Sequence, residues 1–200
     1  MPQESFLITA DASDGIEGQD MSSASCWDIS TWEQVAHWHG YCDPSEFGYI
    51  LRDIGAYYNW AMVAVETNYP GNATYAKLKE LKYPKLWANN EDGDPWCTTA
   101  KTRPLAITAL REAMRESTMK INSTDTISEL RTFVRRNNGK LEAEQGSHDD
   151  CVMDAAIAAY ILKNSAYVPE ELQSIRRQPL REILHKTNHN YRPGRSPGIV

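Results

Sequence analysis

Apolar and polar positions along the chain follow two spacings in turn. Ser5 to Ala10 is a short apolar run that stops at Asp11 and passes into a loop punctuated by Gly15 and Gly18 and reaching Asp20, which predicts a strand running into a turn. Ser22 to Ile29 and Gln34 to His39 are rich in β-forming residues, alternate in part and are separated by a short polar stretch, which predicts an antiparallel hairpin. Asp43-Pro44 offers an N-cap with proline at the first helical position. Phe47, Ile50, Leu51, Ile54 and Tyr58 then recur at helical spacing. Ala61 to Val65 is a continuous apolar run of strand length, buried on both faces, that leads into Glu66.

Further along, helices are expected over Ala73 to Leu81 and Arg103 to Arg115, with Leu105, Ile107, Leu110 and Met114 on the inner side of the second. A strand is expected around Lys85 to Ala88, and a short helix near Ile127 to Leu130. Asn138-Gly139 between Thr132–Arg136 and Lys140–Glu144 predicts a hairpin. The last helix runs from about His148 to Leu162 and is apolar from Cys151 onward except for Asp154, so it must be buried nearly all round. The alternation of strands and helices makes this an α/β fold.

The chain has 200 residues, which suits one domain, and 41% hydrophobic content is enough for a sizeable core. No apolar run approaches the roughly 18 residues that span a bilayer, and the first residues lack the pattern of a signal peptide, so the expected location is the cytoplasm, with no membrane partner. Cys26, Cys42, Cys97 and Cys151 are widely spaced, which favours reduced thiols over a disulfide framework. The net charge of -6 argues against a protein that coats nucleic acid, but it conceals a basic tail. From Glu171 onward, Arg176, Arg177, Arg181, Lys186, Arg192 and Arg195 face only Glu171 and Glu182. Residues 1–168 are therefore read as the domain and 169–200 as a basic, partly disordered tail.

Chemistry concentrates at three acidic stations, Asp11, Glu66 and Asp149-Asp150, each at the end of an apolar segment. Taken singly they have plain alternatives. Asp11 suits an Asx turn, Glu66 a salt-bridged strand end, and Asp149 or Asp150 a helix cap. Brought together at the carboxyl ends of strands, they repel one another unless a divalent cation is present, which is the logic of a Mg²⁺ or Mn²⁺ site. Asp154, one turn beyond Asp150 on the same face, needs a partner because an unpaired buried charge costs several kcal/mol.

Several short patterns occur in a fixed order: Asp11-x-x-x-Gly15 followed by Asp20, Val65-Glu66-x-Asn68 with Gly71 after it, Thr102-Arg103-Pro104, Glu129-Leu130-x-x-Phe133, and Gly146-x-His148-Asp149-Asp150. In that order they resemble the nuclease domain of the large terminase subunit of tailed bacteriophages, the DNA-packaging motor, over roughly residues 5–163. The resemblance implies an RNase H-like fold, a central mixed sheet flanked by helices. It implies a metal-dependent endonuclease that cuts concatemeric viral DNA, with Asp11, Glu66 and Asp150 catalytic and Asp11, Glu66, Asp149 and Asp150 as metal ligands. Asp150 is favoured over Asp149, and Asp20, His148 and Asp154 are auxiliary. The implied chemistry is two-metal phosphodiester hydrolysis with two Mg²⁺ or Mn²⁺ ions roughly 3.5 to 4 Å apart, bridged by Asp11. Arg131, Arg135, Arg136 and Lys140, around the Asn138-Gly139 hairpin, are the expected contacts to the DNA backbone.

The partners implied are double-stranded DNA, the terminase ATPase domain, the small terminase subunit and the portal. The chain has no G-x-x-x-x-G-K-[ST] phosphate loop and opens almost directly on the first acidic strand, so it reads as an isolated nuclease domain. Competing readings are another RNase H-like nuclease such as a junction resolvase, a catalytically silent binding domain of the packaging machinery, and a zinc module drawn from Cys26, His37, His39 and Cys42. The spacing of that last set matches no common zinc motif.

Overall fold

In the computed structural model, which describes residues 5–89, 93–136 and 141–165, the first apolar run forms strand β1 (Phe6–Asp11). The predicted hairpin follows as β2 (Ser22–Asp28) and β3 (Glu33–Gly40), antiparallel, with a register irregularity between Cys26 and Trp27. Helix α1 (Pro44–Tyr57) begins where Asp43 Oδ1 accepts the Ser45 N–H at 2.8 Å and Pro44 fills a position that has no N–H to satisfy. It returns the chain to β4 (Met62–Val65), which lies parallel to β1. The strand order is β3-β2-β1-β4, so β1 has an antiparallel neighbour on one side and a parallel one on the other.

Period-two alternation sends the strands' side chains to two separate cores. On one face Ile8, Ala10, Ala24, Cys26, Val63 and Val65 pack with Phe47 and Leu51 of α1 and with Leu78 of α2 (Gly71–Glu80). On the other, Leu7, Trp27 and Ala64 meet α3 (Thr102–Arg115) and α5 (Asp150–Asn164). Between those two helices the chain forms α4 (Thr124–Thr132) and a small antiparallel pair, β5 (Phe133–Arg135) with β6 (Leu141–Ala143). A mixed sheet with helices on both faces is thus the observed α/β architecture. No helix among the described residues is long and apolar enough to cross a membrane.

Two expectations change. The strand expected around Lys85 to Ala88 contributes only one isolated parallel bridge, Val63 to Leu86, and Pro84 supplies no N–H with which to extend it upstream. The inner face of α3 is also rotated from the one predicted. Ala106, Ile107, Ala109, Leu110 and Ala113 are buried, whereas Leu105 and Met114 are each 45% exposed. Three alanines give α3 a shallow face, so α5, itself rich in alanine, can approach closely. The two helices run alongside in the same direction, joined near their starts by Arg103 and Asp149 and further along by Glu112 and Lys163. The turn at Asn138-Gly139, with Lys140, and the tail at 169–200 lie outside the described residues.

The packing predicts a sharp contrast between two positions on α3. Ala109→Leu should overfill the seam and lower stability by about 1–3 kcal/mol, whereas Leu105→Ala should change it by about 0.5 kcal/mol or less. Urea unfolding of both variants checks this, and equal losses would place the wrong face inward.

Candidate functional site

The site starts from strand pairing. β1 and β4 are parallel with Ala10 opposite Val65, so the next residue on each strand, Asp11 and Glu66, emerges at the same sheet edge. The ladder continues one step, with the Glu66 N–H donating to the Ala10 carbonyl at 2.9 Å. Gly71 then lets α2 start directly against this edge. A Cβ there would stand 1.9 Å from the Glu66 carbonyl oxygen, so the close approach requires glycine. The loop after Asp11 is pressed down in a similar way at Gly15, which has φ +71° and whose added Cβ would meet the Cys42 carbonyl oxygen at 2.3 Å.

The third acidic station arrives on the first turn of α5. Its N-terminal N–H groups are satisfied by α4, since Glu129 Oε2 accepts from Cys151 N at 2.8 Å and Val152 N at 3.1 Å. Glu129 therefore caps the helix from outside, leaving the Asp149 carboxylate to pair with Arg103 Nη2 at 2.6 Å; Asp149 stands at the cap position without a side-chain cap bond. Asp150 accepts only a 3.2 Å bond from Met21 N and turns toward the sheet edge.

Asp11, Asp14, Asp20, Glu66, Asp149 and Asp150 line one cleft of 330 Å³, with Arg103 the basic residue among its lining. Folding thus concentrates negative charge. Burial, then the charges of Glu66 and Asp150, hold the Asp11 carboxyl well above the usual range. Burial, then Asp20 and Glu129, push Asp150 to about 7 against the lowering effect of the Met21 N–H. Beside Asp150, Asp20 Oδ1 lies 2.8 Å from His148 Nδ1, and this hydrogen bond raises the imidazole pKa.

Asp154 is brought elsewhere. It is fully buried beneath the sheet and accepts hydrogen bonds from the hydroxyls of Thr9, Ser23 and Ser25. Trp27 Nε1 donates to Thr9 Oγ1 at 3.0 Å and Gln34 Nε2 to Ser25 Oγ at 2.9 Å, so the carboxyl ends a continuous polar network. Desolvation outweighs the hydroxyls and raises Asp154 to about 7. The expected need for a partner is met by donors, not by a cation.

The basic set divides. Arg136 bonds the Ala143 carbonyl at 2.8 Å and joins Arg103, Asp149 and residues 142–147 around a polar groove of 840 Å³ next to the acidic cleft. Arg135, the last residue of β5, is exposed. Arg131 borders an apolar groove with Met119 and Ile121, away from the acids. Lys140 lies outside the described residues. The zinc set is not brought together, because Cys26 and Cys42 belong to the core on the α1 face while His37 and His39 sit across from Ser25 and Ser23 on the α5 side. Arg103 and Glu129 were legible as motif members but not as an ion-pair partner and a helix cap. Asp14 carries no signal beyond its place in the loop.

The acidic carboxyls give a pH dependence whose sign follows from linkage. Asp11, Asp150 and Asp154 have pKa values raised above the ordinary 3.8, so the folded protein binds more protons than the unfolded chain between about pH 4 and 7. Their contribution to stability is full below the ordinary value and is lost as pH rises through about 7. In EDTA, urea unfolding should show stability falling from about pH 5 to 8, and Asp154→Asn should flatten the slope by up to about 1.4 kcal/mol per pH unit. Parallel curves for the two proteins would remove Asp154 from this account.

No family model matches the chain. Solved structures do. The large terminase nuclease of thermophilic phage G20c with bound magnesium aligns with a TM-score of 0.66 at 22% identity, covering 80% of this chain and 82% of its own. A Thermus phage large terminase nuclease domain gives a TM-score of 0.64 at 21% identity over 85% of each chain. A mutant nuclease domain of the large terminase subunit of bacterial virus Sf6, with manganese and β-thujaplicinol, gives 0.59 at 12% identity, covering 80% of this chain and 89% of its own. Over 80% of its length or more, this chain therefore has the fold of the nuclease domain of phage large terminases.

Proposed function

We propose that the chain is a metal-dependent endodeoxyribonuclease of the RNase H-like kind, which cuts concatemeric viral DNA during genome packaging. The observation that carries this reading is the convergence of Asp11 from β1, Glu66 from β4 and Asp150 from α5 on one cleft. The donors fit a hard divalent cation: all are carboxylate oxygens, and among the described residues no Lys or Arg pairs with these three. Asp11, Glu66 and Asp150 are the residues that would hold Mg²⁺ or Mn²⁺, with Asp149 at the border of the set. When bound there, divalent ions would supply an activated water and stabilisation of the leaving 3′ oxygen.

The chain's own residues do the rest. Asp11, at the end of the strand that joins the parallel and antiparallel halves of the sheet, would hold a cation from the middle of the cleft. Arg103 pairs with Asp149 in the cleft wall and presents a guanidinium there, where a scissile phosphate needs its charge offset. Arg136, next to it along the polar groove, extends that positive edge and positions the sugar-phosphate backbone without reading bases. Asp20 and His148 steady the loop beside Asp150. The partners that go with this reading are double-stranded DNA and, by likeness to the terminase nucleases, an ATPase motor domain, a small subunit and a portal. The division into a nuclease unit at 1–168 and a basic tail at 169–200 belongs to the same proposal.

Supercoiled plasmid incubated with the purified chain should be nicked and linearised in Mn²⁺ or Mg²⁺ and left intact in EDTA. Asp11→Ala and Asp150→Ala should each lose more than about 100-fold in rate, the upper range for groups that act behind a ligand, while Asp149→Ala and Arg103→Ala should lose about 10- to 100-fold. Arg131→Ala should be unaffected. Full activity in Asp150→Ala beside an inactive Asp149→Ala would reverse the ligand assignment. Folded protein that binds Mn²⁺ yet cuts nothing would make the chain a silent binding domain.

A further inference from the structure

On the α5 side of the sheet, behind the acidic cleft, β3 presents His37 and His39 toward the start of α5 and toward α4. Ligand atoms of His37, His39 and Cys151 all lie within 4.8 Å of one another. Cys151 Sγ is 3.7 Å from His37 Nε2, and Asp125 Oδ2 is 3.9 Å from both His37 Nε2 and His39 Nδ1. A tetrahedron of sulfur, nitrogen and oxygen ligands around zinc has edges of about 3.3–3.8 Å, so small side-chain shifts would close this set on an ion. We infer that His37, His39, Cys151 and Asp125 form a second metal site that adjoins the acidic cleft, since His39 also lies within 4.8 Å of Glu129 and Asp150, and that it is suited to a borderline transition-metal ion of the zinc type.

Two observations beyond proximity point the same way. Ser25 Oγ donates to Asp154, so its 3.1 Å contact with His37 must be the Nδ1–H donating to the hydroxyl oxygen. That leaves the Nε2 lone pair of His37 directed at Cys151 and Asp125, the second-neighbour arrangement that orients a metal-binding imidazole. His39 faces Asp125 through Nδ1, and its buried Nε2 has no hydrogen-bond partner among the described residues, so that nitrogen is left with a free valence for a ligand. Burial and His39 hold His37 neutral, with a pKa of about 4, as a ligand requires. Coordination through Cys151 Sγ would release the thiol proton to solvent. A Cys151 thiolate and the Asp125 carboxylate would then balance a divalent charge.

Soft sulfur and imidazole ligands select against Mg²⁺, so the two sites would not compete for one ion. The bound ion would tie β3, α4 and the first turn of α5 together, one residue from Asp150. It does not depend on the nuclease reading, and either can fail alone. The test uses cobalt(II) added to the full chain under a thiol-free reductant, with excess Mg²⁺ to occupy the carboxylate cleft. One equivalent of cobalt should give a thiolate-to-cobalt charge-transfer absorption, which an all-oxygen site cannot produce. Wild type and Asp11→Asn should both show it; Cys151→Ser, Cys151→Ala and His37→Gln, each checked for folding by circular dichroism, should lose it. Absence of the band in wild type, or its survival in the folded variants of Cys151 or His37, would overturn the proposal. If neither Cys151 variant folds, His37→Gln decides.

Discussion

The depth at which α5 sits on the sheet depends on one carboxyl group. Asp154 reaches down between β1 and β2 and is held by Thr9, Ser23 and Ser25, side chains that alternation places on one face of two neighbouring strands. Removing the carboxyl would leave hydroxyls unpartnered in a dry core at about 1–3 kcal/mol each, and shifting the helix by a turn would do the same. Small residues under the helix serve packing and polarity together. They let the alanine-rich α5 lie close, and they supply the donors that fix its register. The catalytic reading of Asp150 rests on this clasp one turn away.

Above that clasp the fold works against itself. Parallel pairing of β1 and β4 must bring Asp11 and Glu66 together, and the start of α5 adds Asp150. A helix N-terminus ordinarily stabilises nearby carboxylates, but here its free N–H groups at Cys151 and Val152 are taken by Glu129. Asp149 is neutralised by Arg103, and Asp150 is left with one long bond from a backbone N–H. The protein carries unrelieved negative charge in the place where three secondary-structure elements end.

The strand-end acids were legible because apolar runs locate strand ends, and the end of a strand is where a functional side chain emerges. Asp150 was preferred to Asp149 because it shares a face with Asp154 in a helix otherwise apolar from Cys151 onward. What sequence spacing could not supply was the partner of each charge. Asp154 announced its need for one, yet the donors are serines and a threonine in strands far away in sequence. Arg103 and Asp149 meet only because α3 and α5 run side by side. The face of α3 was misjudged because its large residues, Leu105 and Met114, were weighed above the alanines that make the contact. The basic cluster was read as a unit, but Arg131 on α4 borders an apolar groove while Arg136, just past β5, borders the polar one. The β-hairpin itself was foreseen from Asn138-Gly139, and its strands are present as β5 and β6.

The alanine seam between α3 and α5 makes the second helix a lever. Fifteen residues give α5 a length of about 22 Å, so a tilt of about 3° about its far end displaces Asp150 by about 1 Å. Chemistry that depends on positioning is sensitive to displacements of that size, on the order of a hundredfold in rate. Ala106, Ala109 and Ala113 lie in the buried helix seam and not in the cleft lining, yet their volume sets the aim of a carboxylate at the start of the neighbouring helix. Mechanical tolerance, not chemistry, is what constrains those three positions.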